Sequence, residues 1–161
     1  IRGGLPLLHA YALEPLFYRY GVDLEIWAHE HSYERMFPLY NRTVYNGTKD
    51  PYTDPVAPVH FITGSSGCQE DTDGFILKTP PWSAFRSSDY GYSRMTVHNA
   101  SHLHWQQISD DQKGKVIDDV WIVKHRHGRY SEQRRAAAKG TFVPYSYVHP
   151  EDRTIRRSHL P

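Results

Sequence analysis

A chain of 161 residues with 39% apolar side chains has room for one modest domain. Its mean hydropathy is −0.68, and no stretch reaches the roughly 20 apolar residues of a membrane-crossing helix, so no helical membrane span is expected. The net charge of +1 conceals an acidic body and a basic tail: residues 124–161 carry nine Lys/Arg against three Asp/Glu, the remainder ten against fifteen.

The chain opens on Ile1 rather than Met, and residues 1–10 run straight into a helical pattern. That is expected of a fragment lacking its N-terminal part, and the absence of a leader peptide then carries nothing about localisation. Leu13, Leu16, Phe17 and Tyr20 fall at helical spacing. Pro15 fits only in a first turn and Gly21 suits a helix stop, so a helix is expected from Leu13 or Glu14 to Tyr20. Residues 22–28 follow as a strand. Helix, glycine, strand and then polar residues make an α/β unit, in which ligands gather at the carboxyl ends of strands.

At that strand end His29 and His31 flank Glu30. In an extended chain side chains alternate, so both imidazoles are expected on one face and Glu30 on the other. Imidazole binds zinc and iron, and two ligands at a strand end suit an open catalytic site that further residues must complete. Tyr33 and Glu34 come next. Either could orient a histidine through its free ring N–H, although a structural ion pair or hydrogen bond is favoured.

Residues 36–58 are rich in Pro, Asn and Tyr and read as a surface loop, with a short hairpin through residues 40–45. Asn41, Asn46 and Asn99 each open an Asn-x-Ser/Thr sequon. Together they favour a glycoprotein of the secretory pathway, with ordinary polar turns as the alternative. Residues 59–63 form a strand ended by Gly64-Ser65-Ser66-Gly67, and residues 69–88 look irregular, broken by Pro80-Pro81. Three strands joined by short turns follow over residues 90–98, 103–108 and 116–123, an antiparallel meander.

Cys68 stands alone, either a small buried hydrophobe or a thiol parted from a disulfide partner. His98, His102 and His104 cluster at a hairpin end, where solvation beside a glycan is favoured over an adventitious metal. Asp110-Asp111 sits in a turn and Asp118-Asp119 opens a strand, so turn chemistry is expected to account for both pairs, and the core for Trp27 and Trp121. Beyond Val123 the pattern dissolves. Arg134-Arg135 could mark a processing site or open a helical turn or two, and the rest of the tail reads as extended or disordered.

The segment Ala28-His29-Glu30-His31-Ser32-Tyr33-Glu34-Arg35 resembles the last metal-binding motif of purple acid phosphatases, Gly-His-x-His followed by Tyr-Glu-Arg, with Ala28 in place of Gly. Residues 58–68, Trp82-Ser83-Ala84-Phe85-Arg86, Asp89-Tyr90-Gly91-Tyr92 and Val116-Ile117-Asp118-Asp119-Val120-Trp121 resemble that family's C-terminal segment, most closely its animal branch. The resemblance spans residues 11–123.

It implies an α/β fold: the C-terminal part, incomplete here, of a calcineurin-like metallophosphoesterase β-sandwich flanked by helices. The implied organisation is the end of the catalytic domain over 1–35, a glycosylated loop over 36–58, the C-terminal segment over 59–123 and a basic tail over 124–161. It further implies hydrolysis of phosphate monoesters at acidic pH, in a secreted, extracellular or lysosomal setting. The implied centre pairs Fe(III) with Zn(II), Fe(II) or Mn(II), with His29 on the divalent ion and His31 on the ferric one. The family's aspartates, tyrosinate, asparagine and remaining histidine lie in motifs this chain lacks, as do its substrate-contacting histidines. The chain alone is therefore expected to be inactive, to bind metal weakly, and to need the missing N-terminal part of the same protein as its partner. No nucleic-acid partner is expected. The alternative is a non-catalytic secreted glycoprotein module or pseudoenzyme from a truncated gene product.

Overall fold

The computed structural model describes residues 12–138. Helix α1 (Glu14–Tyr20) carries Pro15 in its first turn, where the missing N–H is no loss, and ends at Gly21. At φ 71° Gly21 turns the chain, and the N–H groups of Gly21 and Val22 donate to the carbonyls of Tyr18 and Phe17. The strands are β1 (Leu24–Trp27), β2 (Tyr33–Met36), β3 (Leu39–Tyr40), β4 (Thr43–Val44), β5 (Val59–Thr63), β6 (Ser83–Ser87), β7 (Gly91–Val97), β8 (His102–Ser109) and β9 (Lys115–Val123). Helix α2 (Tyr130–Ala138) follows. The architecture is mixed α/β, as expected: sheets with few helices.

The first sheet has the order β1-β5-β2-β6, and the meander β7-β8-β9 forms the second. β5 runs parallel to β1 and antiparallel to β2, so it occupies the slot between two strands that are consecutive in sequence. The two sheets pack on Tyr33, Phe61 and Val59 from the first and on Trp105 and Ile122 from the second, with Tyr52 beside them. The rings of Phe61 and Trp105 stack at 4.1 Å.

A polar link crosses this core. Arg35 forks onto Asp118 of β9, Nε to Oδ2 at 2.7 Å and Nη2 to Oδ1 at 2.8 Å. The Tyr33 hydroxyl donates to the same carboxylate at 2.7 Å, and the Trp105 indole N–H donates to the Tyr33 hydroxyl at 3.2 Å. Burial opposes the Arg35 charge, but the hydrogen bonds and field of Asp118 outweigh it and hold the guanidinium charged more firmly than usual. Burial, reinforced by the Asp118 charge, pushes the Tyr33 hydroxyl far above the ordinary tyrosine range, so it stays a donor.

Several sequence expectations are corrected here. β2 and β6 differ from expectation: the run Tyr33-Glu34-Arg35 looks polar, yet Tyr33 and Glu34 are buried, and the Tyr33 hydroxyl is satisfied by Asp118 across the core. Asp118 lies in a strand, as expected, but turn chemistry does not explain it: it is buried and bound across the core. The loop over 36–58 does hold a short hairpin, β3–β4. Its second half, however, is buried at Tyr52, Asp54, Val56 and Ala57. Tyr52 and Asp54 exchange backbone hydrogen bonds with Val123, which lays residues 52–54 along β9. The tail does not dissolve after Val123. Lys124, Tyr130 and Gln133 are buried, and Tyr130 stacks on Tyr18 of α1 at 4.8 Å. The tail beyond residue 138 lies outside the described residues.

Candidate metal centre

The chain leaves β1 at Trp27 and must cross the end of β5 to reach β2. That distance is two strand spacings, roughly 9.6 Å, and residues 28–32 arch over it. The arch is a bend, not a strand, and His29 sits at φ 88°. The expected alternation of His29 and His31 on one face with Glu30 on the other therefore does not apply. Gly64, at the end of β5, forms the floor. Its N–H donates to the Ser32 carbonyl at 3.1 Å, and a Cβ there would stand 2.1 Å from the Glu30 carbonyl oxygen. Only glycine fits beneath the arch.

His29 is exposed and the His31 side chain is 30% exposed. Among the described residues neither imidazole is engaged in a hydrogen bond, and the nearest charged group is Glu70, 3.9 Å from His31 Nδ1. Two free imidazoles at a strand end fit a contribution to a metal site. Among the described residues no group of three or more His, Cys, Asp or Glu is placed to hold an ion, so the pair fits part of a donor set. The loop after Cys68 also reaches the arch, where Asp73 exchanges backbone-directed hydrogen bonds with His31. Sequence reading missed Asp73 and Glu70, which stand in a stretch without periodicity, 42 and 39 positions beyond His31.

The Tyr33 hydroxyl is committed to Asp118 and not to either imidazole. Glu34 is buried, cross-strand from Ile62 and Arg86. Of the sequon asparagines, Asn41 and Asn99 are exposed and Asn46 is half-buried. The Asn99 side-chain oxygen accepts from the N–H groups of Ser101 and His102, shaping the β7–β8 turn. Cys68 is a half-buried free thiol against the Glu70 carbonyl.

Trp121 is not a core aromatic. It is 42% exposed, with His104 stacked on it at 4.5 Å and His98 tilted against it at 4.7 Å. His104 Nε2 pairs with Asp119 at 2.9 Å, and this bond with that of Gln106 holds the Asp119 carboxyl below its usual range. Trp27 is half-buried and its indole N–H donates to His60 Nδ1.

Residues 57–119 match the family model described as iron/zinc purple acid phosphatase-like protein C. This stretch is a purple acid phosphatase C-terminal domain. The chain is 61% identical over 117 residues to acid phosphatase type 7 of Danio rerio, covering 72% of this chain and 26% of that protein. It is 57% identical over 120 residues to the Homo sapiens protein of the same name, covering 74% and 27%. Among solved structures it is similar to purple acid phosphatase PPD1 from yellow lupin seeds. The TM-score is 0.62 at 27% identity, over 70% of this chain and 19% of that one. The chain thus spans about a quarter of the length of the curated relatives it matches.

Proposed function

We propose that this chain supplies one imidazole to each metal of a dinuclear centre that hydrolyses phosphate monoesters in acid, His29 to a divalent zinc, iron or manganese and His31 to Fe(III). The observation that carries the reading is the arch over β5, which presents two unengaged imidazoles at a strand end, in a chain whose following residues match the purple acid phosphatase model. When bound, such a centre supplies charge for the phosphate oxygens and for ionising a water below neutral pH. The remaining ligands and the substrate-contacting groups come from residues this chain does not contain, and the isolated chain is inactive. The exposed sequon asparagines support a glycosylated protein of the extracellular or lysosomal space.

A second reading, a non-catalytic secreted module, is favoured by the lack of a third ligand among the described residues. One exchange separates the two. The matching C-terminal segment of Danio rerio acid phosphatase type 7 is replaced by this chain, and the chimera is assayed with p-nitrophenyl phosphate at acidic pH. Turnover that vanishes in the His31→Ala and His29→Ala chimeras is the expected result. A correctly folded chimera without turnover supports the non-catalytic module. Turnover of the isolated chain, or a metal pair that it retains through dialysis, overturns the claim that its centre is incomplete.

A further inference from the structure

The loop after Cys68 grips His31 from outside the arch. The Asp73 carboxylate accepts the His31 N–H at 2.6 Å, and the Asp73 N–H donates to the His31 carbonyl at 3.0 Å. Two hydrogen bonds of opposite sense between one pair of residues fix the peptide planes on both sides of His31. The loop is itself tethered: the Ser88 hydroxyl donates to the Asp73 carbonyl at 3.0 Å, and the Tyr90 hydroxyl to the Glu70 carbonyl at 3.1 Å. The tethers leave the Glu70 carboxylate 3.9 Å from His31 Nδ1. Asp73 and Glu70 are both exposed, so the core does not account for their placement. A ligating histidine works best when one ring N–H is given to a carboxylate, which fixes the tautomer and frees the other nitrogen.

We propose that Asp73 and Glu70 are positioning residues for His31, Asp73 fixing its backbone and the Glu70 carboxylate facing the Nδ1 edge of the ring, so that Nε2 is the atom left to ligate. The proposal rests on the metal reading of the histidine pair. Partners of this kind change metal affinity by about 10–100-fold.

The test uses the isotopically labelled 161-residue chain and has two arms. Without metal, amide hydrogen exchange at His31 is expected to rise at least about tenfold in Asp73→Ala, because an amide without its bond exchanges from an open state. It is expected to be restored in Asp73→Asn, which keeps an acceptor, and to stay unchanged in Glu70→Gln. Equal exchange in the parent and Asp73→Ala overturns the brace, with unchanged β7–β9 resonances certifying the fold. In the second arm Zn(II) is added and the His31 ring resonances are followed. Asp73→Ala and Glu70→Gln are each expected to weaken the zinc midpoint about tenfold or more. Equal midpoints overturn the positioning role. Zinc that leaves His31 unmoved in the parent chain overturns the positioning role, while the chimera's turnover still decides the metal reading and the exchange arm the brace.

Discussion

Asp118 shows how much one carboxylate holds in this molecule. It takes both forks of Arg35 and the hydroxyl of Tyr33, and Arg35 passes the link on to the Tyr52 hydroxyl at 2.6 Å. The Arg35 and Asp118 side chains are 14% and 5% exposed. Removing one partner leaves a buried charge without compensation, whereas replacing both with apolar groups of similar volume can be close to neutral. Asp118→Ala is therefore expected to cost about 3–5 kcal/mol in urea unfolding, and Arg35→Met with Asp118→Leu much less. A double variant as unstable as Asp118→Ala would refute the account. Gly64→Ala belongs at the same scale: the added methyl meets the Glu30 carbonyl, so the arch must shift. Its expected signature is displacement of the His29 and His31 resonances with the meander unmoved. The two imidazoles were legible in the sequence because a short motif sufficed. Asp118 and Gly64 were not, since their roles come from residues 83 and 34 positions away.

The segment after β9 behaves as an element of the fold although its composition reads as solvated tail. Lys124 donates to the Pro55 carbonyl at 2.6 Å and pairs with Asp23 at 3.2 Å. His125 Nδ1 meets Asp54 at 2.9 Å. His127 Nδ1 meets Asp23 at 2.5 Å, and its Nε2 meets the Ala100 carbonyl at 2.7 Å. Both nitrogens of His127 thus face acceptors, a geometry that only the doubly protonated ring satisfies. The bond to Asp23 raises its pKa against the opposing effects of partial burial and Lys124. A histidine whose charge is favoured in the folded state contributes stability fully below the unfolded value, about 6.5, and loses it as pH climbs through the higher folded value. The urea midpoint of the parent should therefore exceed that of His127→Gln at pH 5, with the gap closing towards pH 8.5. A gap independent of pH would contradict this. Charge runs hid these contacts because Lys, Arg and His announce solvent exposure by type, while their partners Asp23, Asp54 and the Ala100 carbonyl lie far away in sequence. α1, β1 and the meander, whose signals are local, were readable.

Across the whole molecule, the described residues leave sheet edges unpaired. No strand pairs with the outer edge of β1, and β7 is an edge of the second sheet. Ile26 on β1 is 48% exposed, and Met95 and Val97 on β7 are 47% and 64% exposed. An open edge beside apolar side chains is a template for association. Sedimentation velocity of the isolated chain is expected to show growth in size with concentration, and Ile26→Lys to suppress it. Concentration-independent monomers of the parent would rule this out. The sheet order lay beyond sequence reading for a related reason: hydrophobic patterns specify which face of a strand is buried, not which strand lies beside it.

The slot between β1 and β2 has a consequence for how the chain acquires its shape. These two strands cannot zip together as an ordinary hairpin, because the space between them belongs to a segment that arrives some thirty positions later in synthesis. The loop 37–58 must close before β2 can pair with β5, an entropic step that slows assembly. The histidine arch thus takes form only when β5 has threaded home, and a nascent chain released before Thr63 would carry both imidazoles with nothing beneath them.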